Sequence, residues 1–193
     1  MKRILFTALV LIGMINVQAQ NTETTKSGYN NQLLIAPIHF AASTFMLSYE
    51  RMMPSNKSAL RITPSVTFSN TERNTWRDDY QIGREGFGLD LGYKFYMFNN
   101  PRKVNIYFGP YAMGKYIKRN YSESPSKETT VIGVGVDAGL KMVFGRFVMD
   151  FTAGGGLRTS IFEGSDEHAV DNIFDDRYRG IMPRANFMIG MAF

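Results

Sequence analysis

The chain has no cysteine and only two histidines among its 193 residues. Without cysteine it forms no disulfide and offers no thiolate ligand to a metal ion. With so little histidine, the most common general base is scarce as well. Beyond residue 20 there is also no run of about 18 apolar residues, the length that a membrane-spanning helix needs. We therefore expect a fold without disulfides and without a transmembrane helix in the mature chain.

The chain also lacks a large or clustered excess of charge of one sign. The chain has 22 Lys and Arg against 17 Asp and Glu, a net charge of +5, and the basic residues are dispersed along the sequence. Nucleic-acid-binding domains instead concentrate their basic residues in a patch or a stripe. We therefore expect no nucleic-acid partner.

The first residues have the organisation of a secretory signal peptide. Lys2 and Arg3 precede the largely apolar residues 4–17, and small residues follow at the expected cleavage site. An uncleaved membrane helix is the alternative, but the apolar run is short for a bilayer span of about 20 residues. We predict a signal peptide at residues 1–19 and a disordered polar lead-in at residues 20–30.

A pattern of the form G-x-G-x-D-x-G-x-K occurs twice, at residues 86–94 (GFGLDLGYK) and residues 133–141 (GVGVDAGLK). The intervening residues are apolar, so one face of each segment carries glycine and charge while the other is apolar. A period of two residues is typical of a β-strand, whose successive side chains point to opposite faces. The glycines continue this period instead of opening a helix, so the pattern predicts strands and not a nucleotide-binding turn.

Alternation of the same kind runs through most of the chain after residue 30. It predicts eight strands, at residues 32–40, 45–53, 59–69, 85–98, 104–117, 129–144, 147–157 and 181–193. The connections alternate between short (54–58, 99–103, 145–146) and mostly long (70–84, 118–128, 158–179). Short turns at one end and long loops at the other are typical of outer-membrane barrels. For residues 31–193 we predict an all-β fold, an eight-stranded antiparallel up-and-down transmembrane β-barrel behind an N-terminal signal peptide.

The two faces of these strands suit different surroundings. If the face with glycine and charge met lipid, five ionised residues from the central strands would lie in hydrocarbon, at a total cost of roughly 10 kcal/mol. A soluble barrel would enclose the apolar face instead, but eight strands leave an interior only just wide enough for side chains, and this face is rich in phenylalanine. We therefore predict that the apolar face is outside and that glycine and charge line a narrow lumen.

The predicted lumen carries charges of both signs. They are Glu50, Arg61, Asp90, Lys94, Lys115, Asp137, Lys141, Asp150, Arg158 and Arg184. A two-residue turn at residues 145–146 would place Lys141 opposite Asp150, and by the same logic Glu50 faces Arg61. Because buried charges need partners, we predict an ion-pair network that plugs the lumen. The alternative is a path for solutes or protons.

The last strand, PRANFMIGMAF, alternates apolar residues and ends on an aromatic residue. It resembles the C-terminal signal of bacterial outer-membrane barrels, and the matching residues are Phe187, Ile189, Met191 and Phe193. Residues 31–193 are similar to small eight-stranded barrels of the OmpA-transmembrane and OmpX type, and most of all to barrel proteins common in Bacteroidota. The resemblance implies recognition by the barrel-assembly machinery, residence in the outer membrane among lipid and lipopolysaccharide, and a monomeric state.

No arrangement of residues predicts a reaction. His39 lies near the first turn, His168 lies in the acidic segment 163–176, and the last strand lacks the His-x-Ser that the resemblance to a lipid A deacylase would require. The acidic segment does not have the spacing of a calcium loop. We expect no catalytic residue, cofactor or metal site, and a structural or surface-interaction role through the long loops. A lipid A-modifying enzyme and a narrow channel are the alternatives.

Overall fold

The computed structural model describes residues 29–54, 57–69, 81–98, 104–121, 125–162 and 177–193. Eight strands form one antiparallel sheet that closes on itself through pairing of the first strand with the last. They are β1 (Asn31–Ile35), β2 (Thr44–Met52), β3 (Ser58–Ser69), β4 (Gln81–Tyr96), β5 (Val104–Tyr121), β6 (Lys127–Phe144), β7 (Phe147–Phe162) and β8 (Gly180–Ala192). The predicted all-β, eight-stranded, up-and-down barrel is confirmed.

Three predicted features lie outside the described residues. They are the signal peptide, most of the polar lead-in and the acidic segment with His168. Each of them stays a prediction. Among the residues that the structure does describe, no helix is long and apolar enough to cross a bilayer.

The first predicted strand, residues 32–40, is too long. β1 ends at Ile35, and a 3₁₀ helix follows at Pro37–Ala42. Proline has no N–H to donate to a strand ladder, and its fixed φ suits the first turn of a helix. Ser43 then adopts a left-handed conformation, with φ of 53°, before β2 begins. The apolar residues that suggested a longer strand therefore belong to this short helix.

Other strands extend beyond their apolar segments. β4 begins at Gln81 and not at residue 85, β5 continues to Tyr121, and β7 continues to Phe162. The added residues are largely polar, so their alternation is weak in the sequence, yet Glu85 still pairs with Lys118 in register. Backbone hydrogen bonds between neighbouring strands thus continue the ladder past the end of the apolar belt.

The predicted orientation of the two repeated segments is confirmed. Their ionised residues are buried inside the barrel, namely Asp90, Lys94, Asp137 and Lys141. Phe87 and Val136, on the opposite face of the same strands, are each 65% exposed. Because side chains alternate along a strand, one face of each segment lines the lumen and the other forms the outer wall.

The outer wall is apolar around most of the barrel. Large hydrophobic side chains are exposed on β2 through β8, for example Phe45, Val66, Phe87, Phe108, Val136, Leu157 and Ile181. Aromatic rings also stack on this surface: the ring centroids of Phe95 and Phe108 are 5.7 Å apart, and those of Phe151 and Phe187 are 4.6 Å apart. The barrel therefore carries its apolar belt on the outside.

The lumen is so narrow that glycine is needed beside its largest side chains. A Cβ atom at Gly139 would overlap the ring of Tyr107 and the carbonyl oxygen of Phe151. A Cβ atom at Gly92 would lie 3.1 Å from Nη2 of Arg61. The glycines of the repeated pattern therefore make room for the polar side chains that fill the bore.

The barrel wall is interrupted at one place. β1 pairs with β8 only over residues 189–192, so residues 180–188 of β8 pair with β7 alone. The 3₁₀ helix lies against both β2 and β8 there. We call the interval between β8 and β2 that this helix occupies the seam.

The first prediction concerns the packing of Gly139. We expect Gly139→Ala to destabilise the folded barrel by about 1–3 kcal/mol, because the added methyl group overlaps Tyr107 and the β7 backbone. Gly114→Ala is the matched control, since a Cβ atom there meets nothing within 4 Å. Urea titration of detergent-refolded protein, followed by circular dichroism, measures both changes. Equal stability of the two variants would contradict this account of the lumen.

Candidate functional site

The first layer of charge in the lumen joins four strands. It consists of Glu50 on β2, Lys94 on β4, Lys141 on β6 and Asp150 on β7, all almost completely buried. Nζ of Lys94 lies 2.7 Å from Oε2 of Glu50 and 2.5 Å from Oδ2 of Asp150. Nζ of Lys141 contacts Oε1 of Glu50. Two cations therefore neutralise two anions across the bore.

Two tyrosines complete this layer. The hydroxyl of Tyr96 donates a hydrogen bond of 2.5 Å to Oε1 of Glu50, and the hydroxyl of Tyr107 donates one of 2.5 Å to Oδ1 of Asp150. The ammonium of Lys94 also lies 4.2 Å from the centroid of the Tyr107 ring. A buried ion pair is stable only when further hydrogen bonds satisfy its remaining polar atoms, and the phenols supply them here.

A second layer lies nearer to the long connections. It consists of Arg61 on β3, Asp90 on β4, Asp137 on β6 and Arg184 on β8. Arg61 Nη2 lies 3.0 Å from Asp137 Oδ2, and Arg184 Nη1 lies 2.7 Å from Asp90 Oδ2. The guanidinium of Arg184 lies 4.2 Å from the centroid of the Tyr111 ring. This layer also pairs two cations with two anions.

The predicted register is confirmed, and close ion contacts also join strands that are not neighbours. Lys141 does lie opposite Asp150, and Glu50 does lie opposite Arg61. The ammonium of Lys141 nevertheless reaches Glu50 on β2, and the guanidinium of Arg61 reaches Asp137 on β6. The lumen is narrower than the reach of these side chains, so ions pair across the bore with strands that are not neighbours.

Two members of the predicted network lie outside both layers. Lys115 and Arg158 point into the lumen closer to the long connections, and Arg158 donates to Sδ of Met182 at 3.3 Å. Arg119 lies near them and donates a hydrogen bond of 3.1 Å to Thr129. At this end the described strands direct five basic side chains inward, namely Arg84, Lys115, Arg119, Lys127 and Arg158.

His39 lies on the 3₁₀ helix at the same end of the barrel. Its imidazole contacts the side chain of Asn186 and lies near the charged groups of Lys115 and Arg184. The sequence placed His39 near a turn but gave no sign that it would meet these residues of β5 and β8.

Phe187, Ile189 and Met191 of the predicted C-terminal signal lie on β8, with Met191 exposed on the outer wall. The same parity places Phe187 and Ile189 on the outer face, and Phe193 follows directly after the strand. The backbone of Phe193 exchanges two hydrogen bonds with Asn31, of 3.0 and 2.8 Å. This end of the chain therefore helps to close the barrel, and its recognition by assembly machinery stays a prediction.

Comparison of the chain with protein-family models, with curated proteins and with solved structures finds no match. The class of the protein therefore follows from its own geometry, which is a closed, eight-stranded, antiparallel, up-and-down β-barrel. The structure is consistent with the barrel type that the resemblance indicated, and membership of the OmpA and OmpX type stays a prediction.

The second prediction tests the pairing across the bore. Glu50→Gln and Lys141→Met should each destabilise the barrel by about 3–5 kcal/mol, because each leaves an uncompensated buried charge. In a double-mutant cycle, the interaction energy of Glu50 with Lys141 should fall at the upper end of about 0.5–3 kcal/mol. The control is the cycle of Lys141 with Asp150, its neighbour in register, which should give less. A larger interaction energy for Lys141 with Asp150 than for Lys141 with Glu50 would instead favour pairing between neighbouring strands.

Proposed function

We propose that the protein is an outer-membrane β-barrel with a sealed polar lumen, and that it has a structural or surface-interaction role through its long connections. The observation that carries this proposal is the distribution of its side chains. Apolar residues are exposed on the outer wall, whereas ionised residues are buried inside. A barrel in water would need the opposite arrangement.

Lipid is the surrounding that suits the outer wall. Soluble monomers rarely expose a contiguous apolar patch of more than a few hundred Å². Here the exposed hydrophobic side chains come from β2 through β8, so they surround most of the barrel. Only helices and closed barrels satisfy their backbone hydrogen bonds within hydrocarbon, and the closure between β1 and β8 meets that requirement over residues 189–192.

The two charge layers support a sealed lumen. Each joins cations and anions from opposite sides of the bore, and apolar clusters that include Met52, Tyr107, Val148 and Met188 fill the lumen towards the short turns. A permeating ion would have to separate buried pairs, at a cost of several kcal/mol for each uncompensated charge. These contacts favour the sealed barrel over the channel.

The long connections would carry the biological role. They join β3 to β4 and β7 to β8, at the end opposite to the hydrogen bonds between Asn31 and Phe193. The connection from β5 to β6 lies at the same end, but it comprises only residues 122–126 instead of the predicted 118–128, because β5 continues to Tyr121 and β6 begins at Lys127. In a bacterial outer membrane this end faces the outside of the cell. Lipid and lipopolysaccharide would surround the barrel, and the assembly machinery would recognise β8. We propose a monomer without catalytic, cofactor or nucleic-acid-binding function.

The third prediction is the location of the mature protein. We expect it in the outer-membrane fraction, and we expect the unheated sample to migrate faster than the boiled sample on a denaturing gel, because a closed barrel resists unfolding by detergent. The variant Phe87→Asp/Val136→Asp is the control, since it places charges on the outer wall and should reduce insertion. Recovery of the wild-type protein from the soluble periplasm would refute the proposal.

The fourth prediction concerns conductance. Wild-type protein inserted into planar bilayers should give no discrete current steps, because paired side chains fill the bore. A variant in which Arg61, Asp90, Asp137, Arg184 and Lys94 are all replaced by alanine should give measurable current steps. The second layer is then removed, and the first layer loses one of its two cations. Reproducible steps from the wild-type protein at physiological salt would favour the channel instead.

A further inference from the structure

The seam differs from the rest of the wall because no strand fills it. Neighbouring strands are about 4.8 Å apart, so the missing part of β1 leaves an interval of about two such spacings between β8 and β2. The six-residue 3₁₀ helix occupies this interval. Among the described residues, no backbone hydrogen bond joins this helix to β8. The wall is therefore closed there by side-chain packing alone.

The outer side of the seam is apolar. Ile38 and Phe40 of the 3₁₀ helix are 63% and 45% exposed, and Ile181 of β8 is 73% exposed. The rings of Phe40 and Phe45 pack together, with centroids 5.7 Å apart. An acyl chain could lie along this surface and bury these side chains from any remaining water.

The inner side of the same seam is polar and has basic side chains nearby. His39 points towards the side chain of Asn186 and lies within the electrostatic field of Lys115 and Arg184. Asn186 is only 8% exposed, and apart from its contact with His39 its side-chain oxygen has no hydrogen-bond partner. A buried polar atom of this kind costs free energy unless a partner reaches it.

We propose that the seam is a lateral binding site for a single-chain amphiphile with an anionic headgroup. The acyl chain lies on Ile38 and Phe40 and continues along the apolar outer face of β8, and the headgroup enters beside His39 towards Lys115 and Arg184. Water bound to the headgroup donates to the side-chain oxygen of Asn186. The inference rests on the proposed membrane location, and it adds a ligand class to a barrel otherwise described as structural.

The test uses fluorescence quenching in phosphatidylcholine bilayers. The single native tryptophan is first replaced, as Trp76→Phe. Ile38→Trp then reports on the seam, and Phe87→Trp on β4 reports on ordinary outer wall. The probe is a nitroxide-labelled fatty acid. Quenching at position 38 should saturate at low probe concentration, whereas quenching at position 87 should rise only in proportion to the probe in the bilayer.

Competitors identify the headgroup. Unlabelled dodecanoate and dodecyl phosphate should reverse the saturable quenching, and the uncharged dodecanol should not. Preference for one of the two anions distinguishes a carboxylate from a phosphate headgroup, and either result supports the proposal. Lys115→Gln and His39→Gln should each raise the half-saturating concentration at least five-fold, and neither residue belongs to the two charge layers.

Three outcomes would overturn the inference, and they differ in meaning. Equal, non-saturating quenching at positions 38 and 87 in a heat-modifiable, inserted barrel would remove the binding site and leave the proposed function intact. Equal competition by dodecanol and dodecanoate would also remove it, because the headgroup would then contribute nothing. Failure of the protein to enter bilayers at all would overturn the proposed function together with the site.

Discussion

The narrow bore is the constraint on which the rest of this structure depends. Eight strands enclose a space that side chains can fill but that they cannot line without touching the opposite wall. Lys94 therefore contacts carboxylates from both β2 and β7, and Arg61 contacts one from β6. Each ion pair ties together strands that do not share a ladder, so the lumen contributes to closing the barrel as well as filling it. The glycines of the two repeated segments make this possible by leaving room beside Tyr107 and Arg61.

Much of the fold could be predicted from the sequence because a two-residue period is a local signal. It gave the number of strands, the orientation of Asp90 and Asp137, and the register between β6 and β7. The ion-pair partners could not be predicted in the same way, since they depend on the width of the bore and on side-chain reach. The two-residue period directs Tyr96 and Tyr107 into the lumen, but only the structure shows that their hydroxyls donate to Glu50 and Asp150. Pro37 was the local signal that should have ended the first strand.

The seam shows how one short element changes the chemistry of a barrel wall. Elsewhere in the described strands the ladder separates the apolar outer wall from the charged lumen, because each strand is hydrogen-bonded to a neighbour on both sides. At the 3₁₀ helix that separation depends on packing, and His39 lies between Ile38 on the outside and Asn186 on the inside. A site for an amphiphile at this place would give the protein a lipid-related role without opening the ion-paired bore.

The central claim is that the apolar wall faces lipid while the lumen is sealed from water. The absence of cysteine makes this directly measurable, because a nitroxide attached to Val136→Cys is the only label in the chain. Electron paramagnetic resonance of the protein in bilayers compares collisions of that label with oxygen, which dissolves in lipid, and with a water-soluble nickel chelate. The account predicts high access for oxygen and low access for the chelate at Val136. Free access of the chelate to this position would contradict it.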